Sequence, residues 1–247
     1  MIKIIILVII LLLLFTKTDE YFEPKRIYNV AVIIPCVPSH IQYLGELFES
    51  INNQTVLPKR VILALSETQK DSCNNTANNL RKNLDKRIKL IVNCSANKKN
   101  AAANRNRGLN NIKDCEYISY IDADDVMCPS RIEKTVELIK EYKADACLHS
   151  YCNSLEECST GKKVLSPEQV KNIEKDNRNH IHLTKIPVHH GHITITKNVI
   201  KNIKQNNSNE YRRSEDSKFV RDLFKNNFRV VHTEDTLSVY NYEKSAG

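Results

Sequence analysis

The stretch Tyr117-Ile118-Ser119-Tyr120-Ile121-Asp122-Ala123-Asp124-Asp125 joins a β-rich run to three acidic residues. Pro129 then opens a helical pattern, so the acidic residues lie at the carboxyl end of a predicted strand, where open α/β sheets bind ligands. Asp122 and Asp124 are two residues apart, and alternate side chains of extended backbone face the same way. Both can therefore approach one divalent cation or one nucleotide ribose. The alternative is a solvated turn or a helix N-cap, a position that favours Asp.

Predicted strands and helices alternate along the chain. The strands are predicted from continuous apolar runs and the helices from apolar residues at helical spacing. The predicted strands are 28–35, 60–65, 88–92, 117–121, 146–151, 229–232 and 237–242, and the predicted helices are 41–51, 71–84, 101–109, 129–142, 167–175 and 215–225. Such alternation implies right-handed crossovers. We therefore predict an α/β fold with a mainly parallel central sheet and flanking helices.

Length and charge limit the classes of protein that fit. The 247 residues suit one α/β domain, and 37 Lys plus Arg against 29 Asp plus Glu give a net charge of +8. An anionic partner such as a nucleotide diphosphate or a lipid headgroup is consistent with that charge. The basic residues are scattered and lack interleaved aromatics, which argues against nucleic-acid binding.

The N-terminal segment has the composition of a targeting or anchoring segment. An unbroken apolar run from Ile4 to Phe15 is shorter than the about 20 residues that a full span needs. No small-residue cleavage site follows it. We therefore predict that residues 1–18 form a single-pass signal anchor that places the rest of the chain in a lumenal or extracytoplasmic space, with a secreted form as the alternative. Residues 19–27 are a predicted linker.

The cysteines are compatible with that compartment. The chain has eight cysteines, none with CxxC or other zinc-type spacing. Disulfides persist in oxidising compartments, and Cys147, Cys152 and Cys158 are the predicted candidates for pairing. N-glycosylation sequons, which agree with a lumenal address, begin at Asn53, Asn74, Asn93 and Asn206.

Five segments occur in an order that is typical of one enzyme family. They are Ile33-Ile34-Pro35, Ser50–Thr55, Asn104–Leu109, Asp122–Asp125 and Glu215-Asp216. In this order the chain resembles the family 2 glycosyltransferases of the GT-A fold, from about residue 30 to residue 242. The resemblance implies one GT-A-like domain over residues 28–247, in which 28–151 bind the nucleotide sugar and 152–247 bind the acceptor. It also implies metal-dependent, inverting transfer of one sugar from a nucleotide-diphosphate donor, expected to be a UDP-sugar, to a glycan, protein or lipid.

The resemblance assigns a set of donor-binding residues. Pro35 and the loop after it line the nucleoside pocket. Glu67 stands where the family usually has an Asp that accepts from uracil, with an exposed loop acid as its alternative role. Arg105 offers guanidinium donors to a base carbonyl or a phosphate. Asp122 is assigned to the ribose and Asp124 to Mn²⁺ or Mg²⁺, with both acids as candidate metal ligands; the ion stabilises negative charge on the leaving diphosphate.

The acceptor side is assigned in the same way. Asp216 is the expected general base that takes the proton of the acceptor hydroxyl, and Glu215 orients it or binds the acceptor. The alternative for this pair is two first-turn acids favoured by the helix dipole. His190 belongs to a predicted acceptor-side loop, where it contacts phosphate or sugar.

Absent motifs narrow the alternatives. The chain has no Trp, so the Gln-x-x-Arg-Trp signature of processive synthases is missing, and single-sugar transfer is favoured. A sugar-phosphate nucleotidyltransferase should carry a Gly-rich phosphate loop, but the chain has only five glycines. The absence of Walker and GxGxxG motifs argues against ATP hydrolysis and dinucleotide redox chemistry. A catalytically inert carbohydrate-binding module on the same fold is the second alternative.

Overall fold

The computed structural model describes residues 24–176, 189, 191–205 and 215–245. Within these ranges the strands are β1 (Ile27–Cys36), β2 (Leu57–Leu65), β3 (Lys89–Cys94), β4 (Tyr117–Tyr120), β5 (Val126–Met127), β6 (Ala146–Cys152), β7 (Val164–Leu165), β8 (Thr194–Thr196) and β9 (Val230–Val239). The helices are α1 (Leu44–Asn52), α2 (Lys70–Arg81), α3 (Ala101–Gly108), α4 (Arg131–Glu141), α5 (Pro167–Asp176), α6 (Val199–Asn202), α7 (Glu215–Lys225) and α8 (Tyr242–Ser245).

The strands form one mixed sheet in the order β3-β2-β1-β4-β8-β6-β9-β5, and β7 pairs with β9. Neighbours are parallel from β3 to β4 and between β6 and β9. The strand β8 is antiparallel to both β4 and β6, and β5 and β7 are antiparallel to β9. The prediction of a mainly parallel sheet is therefore wrong. Apolar periodicity reports burial and not strand direction, and β5 and β7 are too short to leave a periodic signal.

The central strand β1 packs apolar side chains on both faces of the sheet. Val30, Val32 and Ile34 face the cluster that includes helices α1 and α4, and Ala31 and Ile33 face the cluster that includes helix α7. All five side chains are fully buried. A strand covered by helices on both faces is expected to be continuously apolar, which is why the sequence predicted β1 correctly.

The C-terminal strand is longer than predicted. The predicted strands 229–232 and 237–242 overlap one continuous strand, β9, which pairs with β6 through two register irregularities around Ser150. These irregularities accommodate the polar residues 234–236. The same polar residues interrupt the apolar pattern, so the sequence predicts two strands where the structure has one. The second prediction extends too far, because β9 ends at Val239 and Tyr242 begins helix α8. Because β9 lies between β6 and β5, strands from both predicted halves of the domain share one sheet.

Two disulfides join Cys73 to Cys94 and Cys128 to Cys158. The predicted pairing candidate Cys158 is confirmed as a disulfide cysteine, but Cys147 and Cys152 are free and buried. The prediction relied on closeness in sequence. Cys147 and Cys152 lie in strand β6, whereas Cys128, the partner of Cys158, directly follows strand β5. The predicted anchor at residues 1–18 lies outside the described residues, and no described helix is long and apolar enough to cross a membrane.

Gly108 allows helix α3 to pack closely on β1, and we predict that Gly108→Ala destabilises the chain. A Cβ atom at this position would lie 2.6 Å from Cγ2 of the buried Ile33. Overpacking of this kind costs about 1–3 kcal/mol, measurable by urea unfolding. Gly45→Ala in helix α1 is the control, since no atom lies within 4 Å of its Cβ position; we expect a gain of about 0.5 kcal/mol. Equal stability of the two variants would contradict the prediction.

Candidate active site

A cavity of about 270 Å³ opens where β1 and β4 end and where α3 and α7 begin. Six of the eight residues predicted for the site line it: Pro35, Arg105, Asp122, Asp124, Glu215 and Asp216. The cavity therefore brings together predicted site residues that are up to 181 positions apart in the chain, from Pro35 to Asp216. It lies at the carboxyl ends of parallel strands, as expected for an α/β sheet.

The acidic residues after β4 form a turn whose orientation is held from the far end of the chain. The backbone N–H of Asp125 donates to the carbonyl of Asp122 at 3.3 Å. Asn241, just after β9, donates from its backbone N–H to Oδ1 of Asp125 at 2.9 Å and from Nδ2 to the carbonyl of Asp124 at 2.7 Å. Asp122 and Asp124 both line the cavity, in agreement with their alternate spacing.

Arg105 is the buried cation of the site, with 2% exposure. Its Nη2 donates to Oδ1 of Asp122 at 2.5 Å, and its Nη1 lies 3.2 Å from Oε1 of Gln205 and 3.6 Å from Oε1 of Glu215. Burial acts to lower the pKa of Arg105, but Asp122, Asp216 and Glu215 together raise it above its usual value. The guanidinium thus connects the acidic turn to the first turn of helix α7.

The same contacts set the charge of the surrounding acids. Burial acts to raise the pKa of Asp122, but Arg105 and two nearby histidines lower it to about 2. Burial raises the pKa of Glu215, whose side chain is directed toward Arg105. Asp216 is half-buried in the cavity wall, and its Oδ1 accepts from the backbone N–H of Ser217 at 2.7 Å. Asp122 is therefore ionised at neutral pH and able to bind a cation.

Two histidines approach the acidic turn. Nε2 of His192 lies 2.8 Å from Oδ2 of Asp125, and both side chains are fully buried. The rings of His189 and His192 are 4.1 Å apart between centroids. One ligand atom from each of Asp122, Asp125, His189 and His192 lies within 4.8 Å of the others, whereas Asp124 is outside this group. Carboxylates and imidazoles are metal ligands, so the residues fit a divalent cation.

Two predicted site residues are not brought into the cavity wall by the described structure. Glu67 is exposed, follows β2 with a positive φ of 55°, and is not among the residues that line the cavity. His190 lies outside the described residues. The neighbouring Ser66 is buried, and its Oγ accepts from Nδ2 of Asn104 at 3.3 Å.

Several cavity residues were not identified from the sequence. They are His40, Lys99, Asn104 and Tyr240. Asn104 belongs to a motif that the sequence did single out, and Lys99 belongs to a visible basic pair just before α3. Tyr240 carries no local signal, because it reaches the cavity only through the position of β9.

The matches to known proteins agree with this geometry. The family model for glycosyl transferase family 2 matches residues 31–203. The chain belongs to glycosyl transferase family 2. An uncharacterized glycosyltransferase of Methanocaldococcus jannaschii is 29% identical over 58% of the chain and 48% of its own length. An uncharacterized glycosyltransferase of Haemophilus influenzae is 27% identical over 86% of this chain and 69% of its own length. The family 2 chain thus spans about half the length of the first of these relatives.

Solved structures of similar fold are also known. S. aureus TarS 1-349 in complex with UDP matches this family 2 chain with a TM-score of 0.62 and 19% identity, over 85% of this chain and 59% of TarS 1-349. The mannosyltransferase PcManGT from Pyrobaculum calidifontis was solved in complex with GDP-Man and Mn²⁺. It matches with a TM-score of 0.58 and 13% identity, over 86% of this chain and 56% of PcManGT. The predicted GT-A-like α/β fold is confirmed, with a mixed sheet.

We predict that Arg105→Met unfolds this family 2 chain at lower denaturant concentration than the wild type. The substitution leaves Asp122 and Glu215 without their buried counter-charge, which costs about 3 kcal/mol, the low end for a broken buried pair because Asp122 keeps 25% exposure. Arg107→Met in the same helix is the control, since Arg107 donates to Asn104 and Asn93 and to no carboxylate of the described residues. Urea unfolding measures both, and an equal loss in the two variants would contradict the ion-pair role of Arg105.

Proposed function

We propose that the chain transfers one sugar, with inversion and in a metal-dependent reaction, from a nucleotide-diphosphate donor to a glycan, protein or lipid acceptor. The expected donor is a UDP-sugar. The observation that carries the proposal is the single cavity that contains both the acidic turn at Asp122–Asp124 and the acidic start of α7 at Glu215–Asp216. A donor site and a proton acceptor must share one cavity in such a reaction.

The wall formed by Pro35, Cys36 and Val37 is the proposed nucleoside pocket. Lys99 and the beginning of α3 lie on the same cavity and supply positive charge for a diphosphate, since helix N-termini and lysines both bind phosphate. TarS was solved with UDP and with UDP-GlcNAc, and PcManGT with GDP-Man. These ligands belong to those proteins, and they support a nucleotide-sugar donor here.

A divalent cation, Mn²⁺ or Mg²⁺, is the proposed cofactor. Asp122 and Asp124 are its predicted ligands on the cavity side, and the chemistry it supplies when bound is charge neutralisation on the leaving diphosphate. PcManGT was solved with Mn²⁺. Arg105 keeps Asp122 ionised and oriented for this role, as its hydrogen bond and the lowered pKa of Asp122 indicate.

Asp216 is the proposed general base. The acceptor hydroxyl gives its proton to the Asp216 carboxylate as its oxygen attacks the anomeric carbon and the bond from that carbon to the diphosphate oxygen breaks. The backbone N–H of Ser217 orients the Asp216 carboxylate. Glu215 lines the same cavity and lies 3.6 Å from Arg105, and its proposed role is to orient Asp216 or to bind the acceptor.

We also propose that the N-terminal segment anchors the domain to a membrane, with the domain on the lumenal or extracytoplasmic side. The apolar run Ile4–Phe15 supports the anchor. The two disulfides support an oxidising compartment, since structural disulfides are rare in reducing ones.

Asp124→Ala is expected to weaken nucleotide binding. Isothermal titration with UDP and Mn²⁺ should give a dissociation constant at least about tenfold higher than that of the wild type, equivalent to about 1.4 kcal/mol. The reason is the loss of a carboxylate that faces the cavity and binds the diphosphate through the cation. Asp222→Ala, which removes an acid outside the cavity lining, is the control and should bind as the wild type does. Equal UDP affinity with and without Mn²⁺ in the wild type would count against the assigned site.

Asp216→Asn is expected to keep donor binding and to lose turnover. Removal of a general base typically lowers the rate by about 10²–10⁴-fold. Release of UDP from a panel of UDP-sugars, with water as the acceptor, measures turnover without knowledge of the natural acceptor. Asp222→Asn lies on the same helix and pairs only with Lys218 among the described contacts, so it should leave UDP release unchanged. Full turnover in Asp216→Asn would remove its role as base.

A further inference from the structure

Three sulfur atoms meet beside the C-terminal part of strand β9. The Cys128–Cys158 disulfide supplies two of them, and the free thiol of Cys152 supplies the third. Sγ of Cys152 lies 4.0 Å from Sγ of Cys128, and all three sulfur atoms lie within 4.8 Å of one another. None of the three cysteines lines the active-site cavity. A thiol this close to a disulfide is in position to exchange with it.

Strand pairing brings Cys152 and Cys128 together. Cys152 is the last residue of β6 and pairs with Val239 of β9, and Val239 pairs on its other side with Val126 of β5. Cys128 directly follows β5, and its backbone N–H donates to the carbonyl of Leu237 at 3.1 Å. The two cysteines therefore flank β9, and their buried side chains share an apolar cluster with Val239. The contact between their sulfur atoms is thus set by the sheet.

Cys158 lies outside the sheet, in the loop between β6 and β7. It follows the short 3-10 segment Leu155–Glu157 and is half-buried, whereas Cys128 and Cys152 are buried. A thiolate attacks along the axis of a disulfide bond, so the leaving sulfur must turn away from the attacking one. Of the three sulfur atoms, that of Cys158 is attached to the least buried residue and is the natural leaving group.

We propose that Cys152 is a thiol–disulfide exchange site that transfers the disulfide of Cys128 from Cys158 to itself. The Cys152 thiol loses its proton, and the thiolate attacks Sγ of Cys128. The Cys128–Cys152 bond forms as the Cys128–Cys158 bond breaks, and Cys158 leaves as a thiolate that takes up a proton. One disulfide and one thiol are present before and after the step, so the exchange consumes no oxidant or reductant. The proposal does not depend on the transferase activity.

The exchange changes the covalent support of the acidic turn. The Cys128–Cys158 bond joins the end of β5 to a loop, whereas a Cys128–Cys152 bond joins β5 to β6 across β9. The backbone N–H of Tyr240 donates to the carbonyl of Cys152 at 2.9 Å, and the next residue, Asn241, donates to the acidic turn. The exchange site is therefore adjacent to the segment that positions the donor-side acids.

The charge state of Cys152 controls the rate of the step, because only a thiolate attacks. Burial raises the pKa of the Cys152 thiol, nearby Glu157 adds to the rise, and Lys162 opposes it. Sγ of Cys152 also donates to the carbonyls of Ser154 at 3.2 Å and Ser238 at 3.3 Å. At a pH below the pKa of the thiol, the thiolate fraction and the exchange rate rise about tenfold per pH unit.

The test identifies the thiol that becomes free. The full chain is purified at pH 6, incubated with iodoacetamide at pH 7 or pH 9, digested with pepsin in acid without reduction, and mapped by mass spectrometry. We expect alkylated Cys158 together with a Cys128–Cys152 disulfide, appearing at least about tenfold faster at pH 9 than at pH 7. Cys152→Ser should keep the Cys128–Cys158 disulfide and give no alkylated Cys158. Cys158→Ser should form the Cys128–Cys152 disulfide during oxidative purification.

Two controls separate exchange from general disulfide scrambling. The Cys73–Cys94 disulfide has no third sulfur within 4.8 Å among the described residues and should stay intact in the same samples. Cys147→Ser removes another free thiol of β6 and should exchange at the wild-type rate. Circular dichroism verifies folding of each variant.

The proposal is overturned if iodoacetamide labels Cys152 while Cys128–Cys158 stays intact, or if Cys152→Ser releases Cys158 as fast as the wild type does. If Cys152→Ser does not fold, Cys158→Ser decides, and the absence of a Cys128–Cys152 disulfide in that variant rejects the proposal. The labelling pattern is read without donor or acceptor, so a failed transferase assignment leaves it unchanged.

Discussion

The site depends on the burial of one cation, the guanidinium of Arg105, among carboxylates that come from distant parts of the chain. A buried charge is costly unless it is paired and hydrogen-bonded. Asp122 and Glu215 supply the pairing, and Gln205 supplies a further acceptor. Helix α3, which carries Arg105, must therefore contact the end of β4, the start of α7 and Gln205. A cavity with acids on two sides of one cation follows from that requirement.

The second constraint is the strand β9, whose C-terminal end positions the residue that binds the acidic turn. It is parallel to β6 and antiparallel to β5, the short strand that follows the acids. Asn241, just after β9, donates hydrogen bonds to both Asp124 and Asp125. The Cys128–Cys158 disulfide joins the segment after β5 to the loop after β6. Donor-side acids are thus held by residues from the C-terminal part of the domain, which makes the two halves one unit.

Much of the site could be predicted because its residues lie in short motifs with strong local character. Asp122 and Asp124 follow strand β4, Arg105 lies in helix α3 and Glu215-Asp216 begin helix α7, and all of these residues line the cavity. Glu67 was predicted by position alone. The backbone turns at a positive φ there and leaves its side chain exposed, so position in a motif did not determine contact.

The sequence by itself determined the family, the alternation of strands and helices, and the acids that face the cavity, because these depend on local patterns of apolar and charged residues. Only the tertiary structure decided that the sheet is mixed and that Cys128 pairs with Cys158. It also decided that His192 lies against Asp125. Strand direction, disulfide pairing and side-chain contacts across 67 positions, from 125 to 192, depend on how distant segments pack. Local periodicity carries no information about that packing.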